Sequence, residues 1–397
     1  MSDKLIQLKK EFESELTDII LNYWVTNVYD PKRKTFIGEI DFHENKNPEA
    51  ALSAVLVSRI MWTFSAASHW YPTAVYKKMA DEAYRILNET FWDEENGGIY
   101  WSVKPDGTPV DKKKQFYAEA FFVYALAEYH LAFDDDSALK RAINVFDLME
   151  KYAYDSVYGG YLEAKTADWQ ETDDLKLGPG DMNVNKSMNT HLHILEAYTN
   201  LYRAWKDERL KKRLEEMIRI FLDKIIDPET YHFHLFFEDD WDVRSDIDSY
   251  GHDIEGSWLL CEAAEVLGDE KLLEEVEHVA LKMADVTLKE GFDKSGGLYY
   301  EKDANHLVRR FEWWPQAEAV IGFFNAWQLT HDDKYLAQVK KSWEFIQKYF
   351  TDKENGGWYG SVSPGLQLLP AHKVSGWKAP YHNGRMCMEM MRRIDHH

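Results

Sequence analysis

Two cysteines in 397 residues are too few for a disulfide framework. Both Cys261 and Cys387 fall inside apolar helical patterns, so the chain reads as one suited to a reducing cytoplasm. No stretch approaches the roughly 20 consecutive apolar residues that a membrane span requires. The amino-terminal MSDKLIQLKKEFESELTDII alternates charge with apolar residues at helical spacing, where a signal peptide would carry an unbroken apolar run. Basic residues are also scarce: 47 against 69 acidic ones leave a net charge of −22, which makes nucleic acid and anionic membrane poor partners. Several chemical signatures are missing as well. There is no G-x-G-x-x-G entering a helix and no phosphate-binding P-loop, which excludes the usual dinucleotide and nucleotide sites. No G-x-S-x-G elbow occurs and neither cysteine has a basic setting, so a serine or cysteine nucleophile is not expected.

Aromatic residues are what the chain has in quantity, with 15 Trp, 23 Tyr and 20 Phe. Many of them fall in a repeated unit. FWDEENGGIYWSV at 91–103 and FTDKENGGWYGSV at 350–362 are near copies, and YDSVYGGYLEA around Asp155 and FDKSGGLYYEKD around Asp293 share their skeleton. YDPKRKTFIGEIDF around Asp30 and IDPETYHFHLFFEDDW around Asp227 keep the aromatic strand and lose the paired glycines. The six anchoring aspartates recur about every 65 residues, a period that marks an array of one structural unit. Paired glycines supply the positive φ of a tight hairpin, so the aspartates and glycines read as structural, with calcium binding as the rival reading.

Each interval holds two helices of different character. FYAEAFFVYALAEYHL is apolar or small nearly all round, whereas ALKRAINVFDLMEKY carries Lys140, Arg141 and Asp147 on one wet face. The alternation recurs along the chain, giving an inner helix and an outer helix per repeat. The sixth pair is split: an outer-type helix at about 4–25 opens the chain and an inner-type helix near 382–393 ends it. Split first and last elements predict a closed ring. The fold expected is all-α, a single (α/α)6-barrel domain over 1–397 with twelve helices and short β-hairpins between repeats.

In such a ring the first turns of the inner helices share one rim, and polar or aromatic residues collect there. They are Arg59; Tyr117; Asn189 and His193; His252 and Glu255; Trp313, Trp314 and Glu318; and Trp377, His382 and Arg385. A lone histidine on an inner helix is more often a hydrogen-bonded core residue than a catalyst. Three at corresponding positions of different repeats favour chemistry, since a neutral imidazole both takes and returns protons near neutral pH. His191, two residues from His193, points away from it and reads as structural. His232 and His234 have metal-compatible spacing but no third ligand nearby, so no metal is expected. Trp313 and Trp314 read either as core or as stacking surfaces for sugar rings. The closing Asp-His-His is treated as a candidate tag remnant, and His396 and His397 are left out of the chemistry.

The motifs SYGHDIEGSWLL, MNTHLHILEAYTNLYRAW, WWPQAEAVIGFFNAW and GWKAPYHNGRMCME resemble those of the cellobiose 2-epimerases in the N-acylglucosamine 2-epimerase superfamily, over about residues 5–393. Ala379 stands where several members carry a cysteine. The resemblance implies a carbohydrate epimerase that inverts C2 of the reducing-end glucose of β-1,4-linked disaccharides without metal or other cofactor. It implies ring opening, an enediolate, and two bases on opposite faces, assigned by motif position to His252 and His382. Arg59 and His193 would stabilise the oxyanion. Tyr117, Asn189 and Glu255 would orient hydroxyls or tune His252, Trp313, Trp314 and Trp377 would stack on sugar, and Asp181 of LGPGDMN and Glu318 would contact substrate. Aldose–ketose isomerisation, or epimerisation of free mannose, shares the same intermediate. A glycoside hydrolase using Glu255 and Glu318, and a non-catalytic glycan-binding barrel, are the alternatives from other classes. The protein is expected to be a cytoplasmic monomer acting on a disaccharide or monosaccharide.

Overall fold

The computed structural model describes residues 3–304 and 306–396, so His397 of the set-aside pair lies outside the described residues. Twelve α-helices occur among them: α1 (Asp3–Ser14), α2 (Ala54–Trp70), α3 (Ala74–Ile86), α4 (Phe116–Phe133), α5 (Asp136–Tyr152), α6 (Met188–Ala204), α7 (Glu208–Ile220), α8 (Tyr250–Leu267), α9 (Glu270–Glu290), α10 (Trp313–Thr330), α11 (Asp333–Tyr349) and α12 (Tyr381–Asp395). The even-numbered helices pack side by side in the order α2, α4, α6, α8, α10, α12, and α12 packs back on α2. Each odd-numbered helix backs an even-numbered one, with α1 lying against α12. The expected (α/α)6 ring is therefore closed by the chain's first and last helices. Lys9 of α1 and Asp395 of α12 are 2.6 Å apart across that seam.

Residue pattern explains the two layers. Every residue of α4 from Phe116 to Tyr129 is buried, because its neighbours cover it on all sides. In α5 only Ala138, Ala142, Val145, Phe146 and Met149 are buried, one stripe at helical spacing. The inner-to-outer turns are equally local in origin. α4, α8 and α10 end in a left-handed residue, Asp134 (φ 56°), Gly268 (φ 80°) and His331 (φ 55°). The next residue in each case is an aspartate, Asp135, Asp269 or Asp332, whose side chain accepts from the first free N–H groups of the outer helix. The outer helix at the amino end is shorter than its spacing predicts: after Ser14 it continues as π-helical turns over Glu15–Leu21 and Trp24–Val28.

The outer-to-inner connections carry the short hairpins, in seven sheets of two or three strands among the described residues. All six repeat aspartates do the same work. Asp93 Oδ1 accepts from the N–H groups of Glu95 and Asn96, and Asp30, Asp155, Asp227, Asp293 and Asp352 close equivalent turns. In three repeats the second carboxylate oxygen takes a buried lysine: Lys114 on Asp93 at 2.9 Å, Lys186 on Asp155 at 2.7 Å and Lys373 on Asp352 at 2.8 Å. A lysine ammonium thus stands where the rival reading placed calcium. Gly98 is required twice over, since its φ is 73° and an added Cβ would lie 2.6 Å from Glu119 Oε1. No helix among the described residues is long and apolar enough to cross a membrane.

Candidate active site

The hairpin strands deliver the chain to the first turns of the inner helices at one rim, and a cavity of about 410 Å3 opens there. Eleven of the thirteen residues singled out from the sequence line it: Arg59, Tyr117, Asp181, Asn189, His193, His252, Glu255, Trp313, Trp314, Trp377 and His382. They come from all six inner helices or from the loops leading into them. Local packing sets their positions. An added Cβ on Gly251 would lie 2.7 Å from the Trp314 ring, so glycine before His252 is what lets α10 bring Trp314 against it. Trp314 touches both imidazoles, with ring centres 4.6 Å from His252 and 5.5 Å from His382.

Each histidine is held by Nδ1. In His382 it lies 2.6 Å from Glu318 Oε1, in His193 2.9 Å from Glu196 Oε2, and in His252 2.7 Å from the Ser249 hydroxyl. Nε2 is left as the nitrogen free for a ligand in all three. Burial holds all three neutral. It pushes His252 down to about 3, with a smaller contribution from neighbouring His193, and His193 down to about 4 against the pull of Glu196. His382 lies well below the ordinary histidine value, first by burial and then by the guanidinium groups of Arg59 and Arg385.

Arg59 donates from Nη1 to the Trp377 carbonyl at 2.7 Å and from Nη2 to the Tyr117 hydroxyl at 3.0 Å. Its guanidinium lies over the rings of Phe121 and Tyr381, 4.5 and 5.0 Å from their centres. Three buried polar atoms of cavity-lining residues have no protein hydrogen-bond partner among the described residues: Arg59 Nε, Asn189 Oδ1 and Glu255 Oε2. Burial, and then repulsion from Glu318, raises the Glu255 carboxyl well above the usual range despite the neighbouring Arg385. An uncharged imidazole set, a fixed guanidinium and free oxygen sites suit a neutral polyhydroxylated ligand whose charge develops during reaction.

Glu318 departs from the expectation that it contacts substrate. It is fully buried behind His382, and its oxygens are taken by His382, by Trp258 Nε1 at 3.0 Å and by Arg385 Nη2 at 2.7 Å. Arg385 likewise lies beneath the cavity floor, where it binds Glu196, Glu255, Glu318 and the Tyr381 hydroxyl. The same Nη2 reaches Glu255 Oε1 at 2.6 Å. Glu255 and Glu318 therefore share one cation instead of facing each other across a bond, which removes the hydrolase pair. Glu255, Glu318 and His382 form the only metal-like cluster among the described residues, and Arg385 already supplies its positive charge.

His191 is structural, as its spacing predicts: Nδ1 donates to the Ser187 carbonyl and Nε2 accepts from Tyr161 N–H. His232 pairs with Asp253 at 2.7 Å, which outweighs burial and raises it to about 9, while His234 lies 3.7 Å from Asp227. The two histidines thus have separate carboxylate partners. Sequence reasoning missed Tyr300, Glu312, His372 and Lys378, which also line the cavity. Lys378 is the most unusual of these. Its ammonium donates to the Trp358 and Lys373 carbonyls at 2.6 and 3.0 Å, and burial, with Lys373 adding, pushes it down to about 7. Its position next to Trp377 in GWKAPYHNGRM was the available signal.

The sequence profile of the N-acylglucosamine 2-epimerase family matches residues 36–385. A cellobiose 2-epimerase of Bacteroides fragilis is 44% identical over 387 residues, covering 97% of this chain and 98% of its own. The structure of a cellobiose 2-epimerase from Bacillus thermoamylovorans superposes with a TM-score of 0.93 at 36% identity, over 98% of this chain and 99% of that one. A D-mannose isomerase structure has a TM-score of 0.84 at 20% identity over 97% of each chain, a likeness of fold.

Proposed function

The chain belongs to the N-acylglucosamine 2-epimerase family, and from that footing we propose that it is a cellobiose 2-epimerase working as a single catalytic domain. It inverts C2 of the reducing-end glucose of cellobiose and related β-1,4-linked disaccharides, giving the mannose epimer. The observation that carries this reading is the pair His252 and His382: two imidazoles from different repeats, each anchored at Nδ1, held neutral, and set against one indole in one cavity.

The C2 proton becomes acidic only when C1 is an aldehyde, so the pyranose opens first. One imidazole then takes the C2 proton at Nε2, and the electron pair of the C–H bond passes into an enediolate. The other, neutral in the free enzyme, takes a proton from solvent beside the enediolate's negative charge, returns it to the opposite face of C2 and is left neutral, while the first imidazolium gives its proton up to solvent. C2 leaves and returns at one oxidation level, so the chemistry asks for no redox group. Arg59 and His193 bear on the developing oxygen charge, where fixed donors are most effective. The free oxygens of Asn189 and Glu255 suit sugar hydroxyls. Trp377, 41% exposed at the mouth, offers an indole face to the second sugar, and Asp181 brings the 166–185 loop to the same cavity.

Incubation with cellobiose, lactose and mannose, followed by chromatography, tests the assignment. Epimeric disaccharides support it; ketose as the main product from mannose would move the activity to isomerisation, and no change in any sugar would remove it.

A further inference from the structure

Three inner helices begin after a serine that ends or directly follows a short strand: Ser53 before α2, Ser187 before α6 and Ser249 before α8. Ser53 and Ser187 act as helix caps, their hydroxyls accepting from Leu56 N–H at 3.0 Å and Thr190 N–H at 3.1 Å. Ser249 makes no such cap. Its ψ is 95°, against 150° in the other two, and its hydroxyl lies 2.7 Å from Nδ1 of His252. A helix-start serine has been diverted from the backbone to a cavity histidine three residues on.

We propose that Ser249 is a positioning residue for His252, one that keeps Nε2 toward the substrate while leaving both ring tautomers open. The proposal rests on His252 being an acid–base residue. The chemistry of the partner makes the difference. Glu318 and Glu196 accept hydrogen bonds from His382 and His193, which fixes the proton of each neutral ring on Nδ1. A hydroxyl accepts or donates. When Nδ1 of His252 carries the proton, the serine oxygen accepts it and Nε2 presents a lone pair; when Nδ1 is bare, the serine proton is donated to it and Nε2 carries the hydrogen. Rotation about the Cβ–Oγ bond turns the hydroxyl to suit either arrangement without moving the ring, while the ring proton itself is lost and regained at the nitrogens by exchange with substrate or solvent. His252 is thereby the member of the pair whose substrate-facing nitrogen gives and receives a proton from one fixed position. Ser249 and His252 together line a side cavity of about 300 Å3 adjoining the main one.

The test compares Ser249→Ala, Ser249→Thr and Ser249→Asp with His252→Ala, using cellobiose as substrate. Ser249→Ala should lower kcat by roughly ten- to hundredfold with KM changed less than about twofold and the melting temperature unchanged, since no cap is lost. Ser249→Thr, which restores the hydroxyl, should recover most of kcat. Ser249→Asp offers an acceptor only and should shift the acid limb of the kcat profile to higher pH. A wild-type kcat and pH profile in Ser249→Ala, with His252→Ala inactive, overturns this proposal alone. Failure of threonine to rescue, with kcat falling in step with melting temperature, also overturns it. Full activity in His252→Ala overturns the underlying assignment and this proposal with it.

Discussion

Nδ1 of His382 lies 2.6 Å from Oε1 of Glu318, and the same oxygen takes Nη2 of Arg385 at 2.7 Å. One carboxylate thus orients a proposed catalytic base and joins it to the cation beneath the cavity floor. Glu318→Gln keeps the size but weakens the acceptor toward both partners. It should lower kcat by about ten- to hundredfold while KM moves little, as steady-state kinetics with cellobiose would show.

Arg385 is the one cation bonded to Glu196, Glu255 and Glu318 among the described residues. Arg385→Met leaves three buried carboxyl groups without it, and removing one partner of a buried pair costs about 3–5 kcal/mol. Chemical denaturation should register a loss of that order. A stability equal to wild type would mean that the carboxyls are neutral throughout.

Much of this architecture is written locally. The six aspartates, the paired glycines and the two helix characters each follow from short-range rules, and ring closure follows from which half of a repeat stands at each end. The rim residues were legible because each repeat places them at the same point of an inner helix. What lies behind them was not. Glu318 falls in the first turns of α10, in the register of a cavity residue, and only the crossing of α12 puts His382 in front of it. Lys378 and His372 reach the cavity from a segment with no period to mark it, and nothing in the sequence sets Ser249 apart from the helix-start serines Ser53 and Ser187.

The pairing of His232 with Asp253 gives a pH dependence of definite sign. Its pKa is raised from 6.5 to about 9, so its stabilisation is fully present below pH 6.5 and is lost as the pH rises through 9. His232→Asn keeps a donor to Asp253 but cannot titrate. Wild type should exceed the variant by about 1–2 kcal/mol at pH 6, and the gap should close above pH 9 in denaturant titrations. A gap that widens with pH would contradict the pairing.

The imidazoles of His193 and His252 are held at about 4 and 3. The base form is therefore populated far below the ordinary histidine range, and kcat/KM should show no acid limb near pH 6.5. A pH–rate profile falling by half at that pH would show a histidine exposed to solvent instead.

Gly98 tests the structural reading of the repeats apart from the chemistry. Gly98→Ala drives a methyl group toward Glu119 and Trp169 at positive φ, a change expected to cost about 1–3 kcal/mol. The melting temperature should fall while kcat of the folded fraction is retained.

The central claim is that protons leave and return at C2 through His252 and His382. Epimerisation of cellobiose in heavy water, read by NMR and mass spectrometry, tests it most directly when wild type is run beside His252→Ala and His382→Ala. The account predicts deuterium at C2 of the product and a severe loss of turnover in each variant. Product fully protonated at C2, or either variant turning over at the wild-type rate, would contradict it.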